Sequence, residues 1–160
     1  MAEIKIGLGC DAHAFASGRD LIIGGVKIPY QKGLLEHSDA DVLVHSIMDA
    51  ILGAMGRGDI GLHFPDSDPA YKGISSLKLL AHVAKLMGNE GFTIKNLDSI
   101  IILEKPKISS FYQEMKKNIA KELRTEESQI NIKATTTEGM GFTGRGEGVF
   151  AQSAVLIERQ

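Results

Sequence analysis

The sequence predicts an α+β sandwich, in which helices pack on one face of a mixed sheet of mostly four strands. Apolar residues recur at helical spacing in three segments, while four other segments have the composition of strands. The helical segments are 39–55, 74–88 and 109–123, and the strand segments are 3–9, 92–104, 130–137 and 149–158. Strands and helices intermix along the chain with two candidate crossover units, which favours helices packed on a sheet.

Composition limits the classes of protein to consider. The chain has 160 residues, of which 43% are hydrophobic and 24% charged, so we expect one globular domain over residues 1–160. No apolar run approaches a bilayer span, and the first residues lack signal-peptide character, so no membrane partner is expected. A single cysteine fits a reducing cytoplasm. A net charge of −2 without a basic run argues against nucleic acid as a partner.

The first half of the chain predicts a strand, a hairpin and a long helix. "EIKIGLG" at 3–9 is a short strand, and "RDLIIGGVKIPY" at 19–30 is a strand or hairpin interrupted by Gly24-Gly25. The helix over 39–55 is preceded by Ser38, which with Asp41 three positions later fits a capping box.

The second half alternates helices with strands. The helix over 74–88 ends at a glycine, and the helix over 109–123 has a serine as its candidate cap. The segment 92–104 has the character of a buried strand. The strands over 130–137 and 149–158 flank a glycine-rich segment.

A candidate metal site combines residues from the first strand and the first long helix. Asp11 and His13 point to one face because they are two residues apart, as half of a metal site or as a surface ion pair. Asp41, His45 and Asp49 form one polar stripe on a helix without lysine or arginine. This stripe is either a solvated face or a histidine ligand oriented by a neighbouring carboxylate.

Asp11, His13 and His45 together would supply one carboxylate and two imidazoles. Two histidines and a carboxylate with a fourth position open describe a catalytic zinc site, and the same donors also permit non-haem iron.

Two further segments are candidates for binding. The loop "GDIGLHFPDSD" at 58–68 holds Asp59, Asp66 and Asp68 and is either functional or a series of plain turns. Its His63 is not expected to be a fourth ligand, because no partner lies at ligand spacing.

The segment "TTTEGMGFTGRGEG" at 135–148 contains G-x-G-x-x-G, but a strand and not a helix follows, so a dinucleotide fold is not predicted. Its threonines, Arg145 and backbone N–H groups could bind phosphate, with Glu138 beside them to hold a hard cation. The alternative is a glycine-rich hairpin.

Four motifs occur in order along the chain: D-x-H-x-F-x-x-G (from Asp11), "HSDADVLVH", "GDIG" with "FPDSD", and "KATTTEGMGFTGRGEG". Together they resemble the 2-C-methyl-D-erythritol 2,4-cyclodiphosphate synthase family of the non-mevalonate isoprenoid pathway. The resemblance implies a phosphorus–oxygen lyase that converts 4-diphosphocytidyl-2-C-methyl-D-erythritol 2-phosphate into the 2,4-cyclodiphosphate and CMP. The reaction would be a metal-assisted intramolecular phosphoryl transfer.

The resemblance also implies an assembly, cofactors and site residues. It implies a cytoplasmic homotrimer whose sheets face the threefold axis, with active sites between neighbouring subunits. Asp11, His13 and His45 would bind Zn²⁺, and Glu138 would bind a second cation, Mg²⁺ or Mn²⁺. The implied catalytic residues are His37, Thr136 and Glu138. The implied substrate-binding residues are Asp11, His13, His37, Ser38, Asp59, Ile60, Gly61, Phe64, Pro65, Asp66, Ser67, Asp68, Leu103, Glu104, Lys105, Pro106, Lys107, Ile108, Ser109, Thr135, Thr136, Thr137, Glu138, Phe142 and Arg145.

Two other functions use the same residues. A metal-dependent phosphohydrolase would use water as the nucleophile and release inorganic phosphate or a linear product. A trimeric metal- or nucleotide-binding module would bind cytidine nucleotide without turnover.

Overall fold

A five-stranded mixed sheet lies at the centre of the computed structural model, which describes residues 1–160. Its strands are β1 (Glu3–Ala16), β4 (Gly33–Leu34), β5 (Thr93–Ile102), β6 (Ile130–Thr135) and β7 (Gly148–Arg159). They lie in the order β4-β1-β7-β5-β6. Four strands are long and β4 is a two-residue edge strand, so the predicted mostly four-stranded mixed sheet is confirmed.

Only one pair of neighbouring strands is parallel. β5 and β6 run parallel, whereas β7 runs antiparallel to both β1 and β5. Because β1 and β5 both run antiparallel to β7, they are parallel to each other. The helical connections from β1 to β5 and from β5 to β6 therefore both join parallel strands of one sheet, and the expectation of two crossover units is confirmed.

A separate hairpin consists of β2 (Leu21–Ile23) and β3 (Val26–Ile28). Gly24 and Gly25 form its turn with φ angles of 59° and 71°. Two successive positive φ angles are the requirement of a tight type I′ turn, which glycine meets without steric cost.

Three long helices cover one side of the sheet: α1 (Val42–Met55), α3 (Ser76–Asn89) and α4 (Tyr112–Leu123). Two single-turn helices, α2 (Ile60–His63) and α5 (Gly141–Gly144), lie in the loops. No helix combines the length and apolar composition needed to cross a bilayer.

The first long helix begins later than the sequence predicts. Its cap is Asp41, whose carboxylate accepts the N–H of Val44 at 3.1 Å. Ala40 adopts a φ of 61°, which prevents a helical start at Asp39. The predicted capping box at Ser38 is therefore wrong, and the Ser38 hydroxyl instead donates to Glu36.

Helix α1 approaches β1 so closely that two strand positions must be glycine. A Cβ atom at Gly7 would lie 1.8 Å from the Ala50 carbonyl oxygen, and one at Gly9 would lie 2.0 Å from the Ser46 carbonyl oxygen. Because His45 immediately precedes Ser46, this close approach brings the histidine of α1 down to the strand that carries Asp11 and His13.

The two faces of β1 have different environments. Gly7 and Gly9 are buried beneath α1, and Asp11 and His13 share that inner face. On the outer face Ile4, Ile6 and Leu8 are 58%, 72% and 65% exposed. The inner face therefore carries the candidate site, while the outer face leaves a row of large apolar side chains uncovered.

Candidate metal and nucleotide site

Asp11, His13 and His45 converge on one point at the inner face of the sheet. The Asp11 carboxylate oxygen Oδ2 lies 2.8 Å from His13 Nε2 and 2.9 Å from His45 Nδ1. The two ring nitrogens are 3.2 Å apart. β1 continues to Ala16, so Asp11 and His13 lie within the strand and not at its end, and their two-residue spacing directs both toward α1.

These three atoms fit the corners of a metal site. All lie within 4.8 Å of one another. Zinc bonds of about 2.1 Å in a tetrahedron place neighbouring ligand atoms about 3.4 Å apart, a few tenths of an ångström more than the separations seen here. Two imidazoles and one carboxylate form the donor set of catalytic zinc sites, in which a fourth position is open. The sequence-predicted ligand set is thus brought together.

The contacts in this cluster shift the pKa of Asp11 and that of His45 in opposite directions. Burial raises the pKa of Asp11, but the hydrogen bonds of His13 and His45 outweigh it and hold that pKa below its usual range. Burial lowers the pKa of His45, and the bond with Asp11 outweighs it, so this pKa is raised. Without a metal, the ionised Asp11 carboxylate and the protonated His45 ring therefore stabilise each other.

The second ring nitrogen of His45 contacts two serine hydroxyls. His45 Nε2 lies 2.9 Å from Ser76 Oγ and 3.1 Å from Ser38 Oγ. Each hydroxyl in turn donates to a carboxylate, Ser76 to Asp39 and Ser38 to Glu36. Burial raises the pKa of Glu36, but the bonds from Ser38 outweigh it and lower that pKa overall.

The acidic neighbours of His45 on α1 have other partners. Asp41 accepts the N–H groups of Gly24 and Gly25, which fastens the hairpin turn to the start of α1. Asp49 accepts the N–H of Ile60 at 2.8 Å and so fixes the start of α2. The interpretation that these carboxylates orient His45 is wrong, because neither forms a hydrogen bond with its ring.

A cavity of about 160 Å³ opens onto the three candidate ligands. The sequence-predicted residues that line it are Asp11, His13, His37, Ser38, His45, Ile60, Gly61, Phe64 and Asp66. Glu36, Met48, Tyr71 and Leu79 line it as well and were not predicted. The buried Nε2 atom of His37 has no hydrogen-bond partner in the protein, which leaves one unpaired polar atom in the cavity wall.

Four predicted residues of the 59–68 loop lie outside this lining. Asp59 caps α2 by accepting the N–H of Leu62, and Asp68 caps the 3₁₀ turn Pro69–Tyr71. Pro65 and Ser67 are the other two. The imidazole of His63 contacts the Arg57 carbonyl oxygen.

A second cavity of about 310 Å³ lies where β5 and β6 end. The predicted residues that line it are Leu103, Glu104, Pro106, Lys107, Ile108, Ser109, Thr135 and Thr136. Tyr112 and Ala134 complete the wall and were not predicted, whereas Lys105 and Thr137 lie outside it. Glu104 accepts the N–H groups of Thr137 and Gly139 at 3.1 and 3.3 Å, which anchors the following loop to this cavity.

Glu138 is exposed at the tip of that loop, outside the second cavity, with a φ of 53°. The Thr136 hydroxyl donates to its carboxylate at 3.3 Å. Further along, Phe142 is 41% exposed and lines a shallow cavity beside His13, while Arg145 pairs with Glu147 at 2.8 Å. Glu138 is thus exposed to solvent and is not part of the cluster of Asp11, His13 and His45.

The cavity at the candidate metal ligands and the cavity at the ends of β5 and β6 share no lining residue. Ala12 pairs with Phe150, Phe150 with Ile102 and Ile102 with Thr135, so these residues form one row across four strands. Three strand spacings put the ends of that row about 14 Å apart. Within one chain, the candidate metal ligands on β1 and the hydroxyl-rich segment after β6 are therefore separated by the width of three strand spacings.

Two residues near His45 were not predicted from the sequence: Ser76, which contacts its ring directly, and Asp39, which does so through the Ser76 hydroxyl. Ser76 is 31 residues from His45, and no local periodicity connects the two. The feature that could have pointed to Ser76 is a polar residue at a buried position of an amphipathic helix. Ser76 is fully buried at the start of α3.

Comparison with known proteins assigns this arrangement to a family. A profile described as the YgbB family matches residues 4–158. The chain is 59% identical over 155 residues to a 2-C-methyl-D-erythritol 2,4-cyclodiphosphate synthase of Geobacillus thermodenitrificans, covering 97% of each chain.

Solved structures agree with the sequence match. The bifunctional IspDF of Campylobacter jejuni superposes with a TM-score of 0.96 at 44% identity, over 100% of this chain and 43% of that one. The IspF of Plasmodium falciparum, solved as a CDP complex, superposes with a TM-score of 0.86 at 35% identity, over 98% and 97% of the two chains. The chain therefore belongs to the YgbB family, the family of the 2-C-methyl-D-erythritol 2,4-cyclodiphosphate synthases.

Proposed function

We propose that the protein converts 4-diphosphocytidyl-2-C-methyl-D-erythritol 2-phosphate into 2-C-methyl-D-erythritol 2,4-cyclodiphosphate and CMP, as a phosphorus–oxygen lyase of isoprenoid precursor synthesis. The observation that carries this proposal is the convergence of Asp11, His13 and His45 at a cavity in a chain of this family. The name of the Geobacillus thermodenitrificans relative supports the choice of reaction.

The reaction defines what the site must do. The 2-phosphate attacks the β-phosphorus of the cytidine diphosphate arm, the bond to the α-phosphate oxygen breaks and CMP leaves. Attacking and attacked groups are both anionic, so the barrier consists largely of charge repulsion and misorientation. Asp11, His13 and His45 would hold a Zn²⁺, which supplies positive charge to a phosphate oxygen.

Residues of the first cavity would bind the methylerythritol part of the substrate. The imidazole of His37 and the hydroxyl of Ser38 would contact a phosphate close to the metal ligands. The unpaired Nε2 atom of His37 supports this role, since a buried polar atom gains a hydrogen bond when a partner is supplied. Ile60, Gly61 and Phe64 would surround the carbon skeleton. We assign the neighbouring loop residues Asp59 and 65–68 to the same part of the substrate.

Residues of the second cavity would bind the cytidine diphosphate part. The CDP complex of the Plasmodium falciparum relative supports a nucleotide ligand. The walls formed by 103–109 and by Thr135 and Thr136 offer hydroxyls and backbone groups for this purpose. Thr136 would donate to the diphosphate, and Glu138 would hold a second cation, Mg²⁺ or Mn²⁺.

A homotrimer would bring these two cavities together across a subunit interface. The two cavities of one chain share no lining residue and are separated across the strands of the sheet, which supports a site completed by a neighbouring subunit. The exposed side chains of Ile4, Ile6 and Leu8 support an assembly in which the sheets face the threefold axis. We place this trimer in the cytoplasm, where the exposed Cys10 stays reduced.

Product analysis by mass spectrometry and phosphorus NMR tests the proposal. Cyclodiphosphate and CMP should appear one for one, without inorganic phosphate, because the nucleophile belongs to the substrate itself. Release of inorganic phosphate with a linear product would instead identify a metal-dependent phosphohydrolase. Cytidine nucleotide binding without any CMP formation would identify a binding module.

A further inference from the structure

His45 presents one nitrogen to the candidate metal site and the other to a buried hydroxyl. Its Nδ1 atom faces Asp11 and His13, and its Nε2 atom lies 2.9 Å from the hydroxyl oxygen of Ser76. Ser76 is the first residue of α3 and is fully buried. It does not line the cavity at the metal ligands, so it is out of contact with any substrate bound there.

Asp39 fixes the direction of the Ser76 hydroxyl. One carboxylate oxygen accepts the Ser76 hydroxyl proton at 2.5 Å, and the other accepts its backbone N–H at 3.0 Å. An ionised carboxylate can only accept hydrogen bonds, so the hydroxyl proton points at Asp39. The oxygen lone pairs of Ser76 are then left for His45.

The second hydroxyl beside this nitrogen is constrained in the same way. Ser38 Oγ lies 3.1 Å from His45 Nε2 and donates its proton to Glu36 at 2.7 Å. Both hydroxyl groups facing Nε2 are thus acceptors toward it. Only an imidazole with its proton on Nε2 satisfies this arrangement, and a neutral ring then has its lone pair on Nδ1.

We infer that Ser76, held by Asp39, is a positioning residue that fixes the tautomer and ring orientation of His45 so that Nδ1 can ligate a metal. Such outer partners of histidine ligands commonly contribute 10- to 100-fold to metal affinity. The inference rests on the proposed metal site. It adds to that site two residues that contact neither the metal nor the substrate.

Zinc titration of Ser76→Ala against a chromophoric chelator tests this role. We expect zinc binding 10- to 100-fold weaker than in the wild type. Ser99→Ala is the matched control, because Ser99 is also buried and its hydroxyl bonds to Ser153 and not to His45. Its zinc affinity should equal that of the wild type, although both variants lose a buried hydrogen bond.

Asp39→Asn and the double variant test whether the two residues act as one chain. If they do, Ser76→Ala with Asp39→Asn should weaken zinc binding no more than the stronger single change. Zinc binding by Ser76→Ala within about twofold of the wild type would overturn the inference while leaving the metal site in place. A wild type that binds no zinc would overturn the metal site and the inference together.

Nitrogen-15 NMR of the zinc-loaded wild type, labelled at histidine, tests the tautomer without any substitution. We expect a slowly exchanging proton on His45 Nε2 and no proton on Nδ1. An unprotonated Nε2 would overturn the inference, whatever the stability of the variants.

Discussion

Protons and a metal ion would compete for the same atoms of the candidate site at the inner face of β1. The pKa of His45 is raised in the metal-free protein, because the bond and charge of Asp11 outweigh the effect of burial. Zinc binds only the neutral imidazole, so a His45 ring protonated on both nitrogens must lose its Nδ1 proton before the metal can enter. The carboxylate that completes the ligand set therefore also makes metal binding dependent on pH.

We predict that the apparent zinc affinity falls as the pH is lowered, beginning above pH 6.5, the ordinary pKa of histidine. The sign follows from the raised pKa, since His45 is already protonated at a pH where a free histidine is neutral. One competing proton makes the loss approach tenfold per pH unit. Chelator competition between pH 8 and pH 5.5 measures it, with His63→Ala as the control of unchanged profile. A constant affinity from pH 8 to pH 6 would contradict the prediction.

The Glu138 carboxylate lies at an exposed loop tip, where the Thr136 hydroxyl donates to it. We predict that Glu138→Gln retains zinc but loses on the order of 10²-fold or more in turnover, because the amide keeps the shape and removes the charge. KM should change less than kcat. Glu114→Gln, an exposed carboxylate on α4, is the control and should retain full turnover. Normal turnover of Glu138→Gln would place the second cation at another residue.

Sequence spacing predicts local relationships between residues and misses distant ones. The two-residue spacing of Asp11 and His13 predicts their common direction, and the resulting ligand set is brought together. Asp41 lies one helical turn from His45, yet its carboxylate bonds to the hairpin turn at Gly24 and Gly25. The partner of Asp41 is set by the packing of two separate elements, which no local pattern records.

At the scale of elements, the contact between α1 and β1 determines where the candidate ligands meet. Glycines at 7 and 9 let the helix backbone lie against the strand, and Ser46, Ala50 and Ala54 face them at four-residue spacing. The abundance of glycine was visible in the sequence. Its reason was not, because the strand pattern of 3–9 gives no sign of which helix crosses it.

We predict that Gly9→Ala destabilises the protein by about 1–3 kcal/mol or more and weakens zinc binding, because the new methyl group must push α1 and His45 away from β1. The Cβ atom would lie 2.0 Å from the Ser46 carbonyl oxygen. Thermal unfolding and chelator competition measure the two effects.

Gly53→Ala is the matched control for this prediction. Gly53 lies in α1 with its nearest neighbour for a Cβ atom at 3.8 Å, so alanine fits there and should stabilise the helix by about 1 kcal/mol. Zinc binding by Gly9→Ala equal to that of the wild type would show that α1 can shift without moving His45.

At the scale of the whole molecule, the sheet is covered on one face only. Helices α1, α3 and α4 lie on the inner side, while three large aliphatic side chains of β1 remain exposed on the outer side. Alternate residues of a strand point to opposite faces of a sheet, but the sequence alone did not predict which face of β1 the helices would leave uncovered. Such a surface is typical of an interface between subunits.

We predict that Leu8→Lys converts the proposed trimer into monomers and abolishes turnover, while the isolated chain keeps its zinc ligands. Light scattering measures the mass, and zinc analysis checks the ligand set. Leu62→Lys is the control, since Leu62 is 74% exposed on α2, away from the sheet, and its substitution should leave the mass unchanged. A fully active monomer of the Leu8→Lys or the Leu62→Lys variant would refute the proposed assembly.

Because alternate residues of β1 face opposite sides of the sheet, this strand should tolerate the substitution of a residue far better than the deletion of one. Twelve successive pairs with β7, from Glu3 with Arg159 to Ala14 with Gly148, hold its register. Loss of one residue between Gly9 and Asp11 would, with the preceding pairs kept, turn both candidate ligands outward and bring Ala12 and Ala14 inward. Deletion of a single codon there would thus remove the candidate metal site and disturb the outer face at once. Most substitutions of a single residue in β1 would affect only one of these two faces.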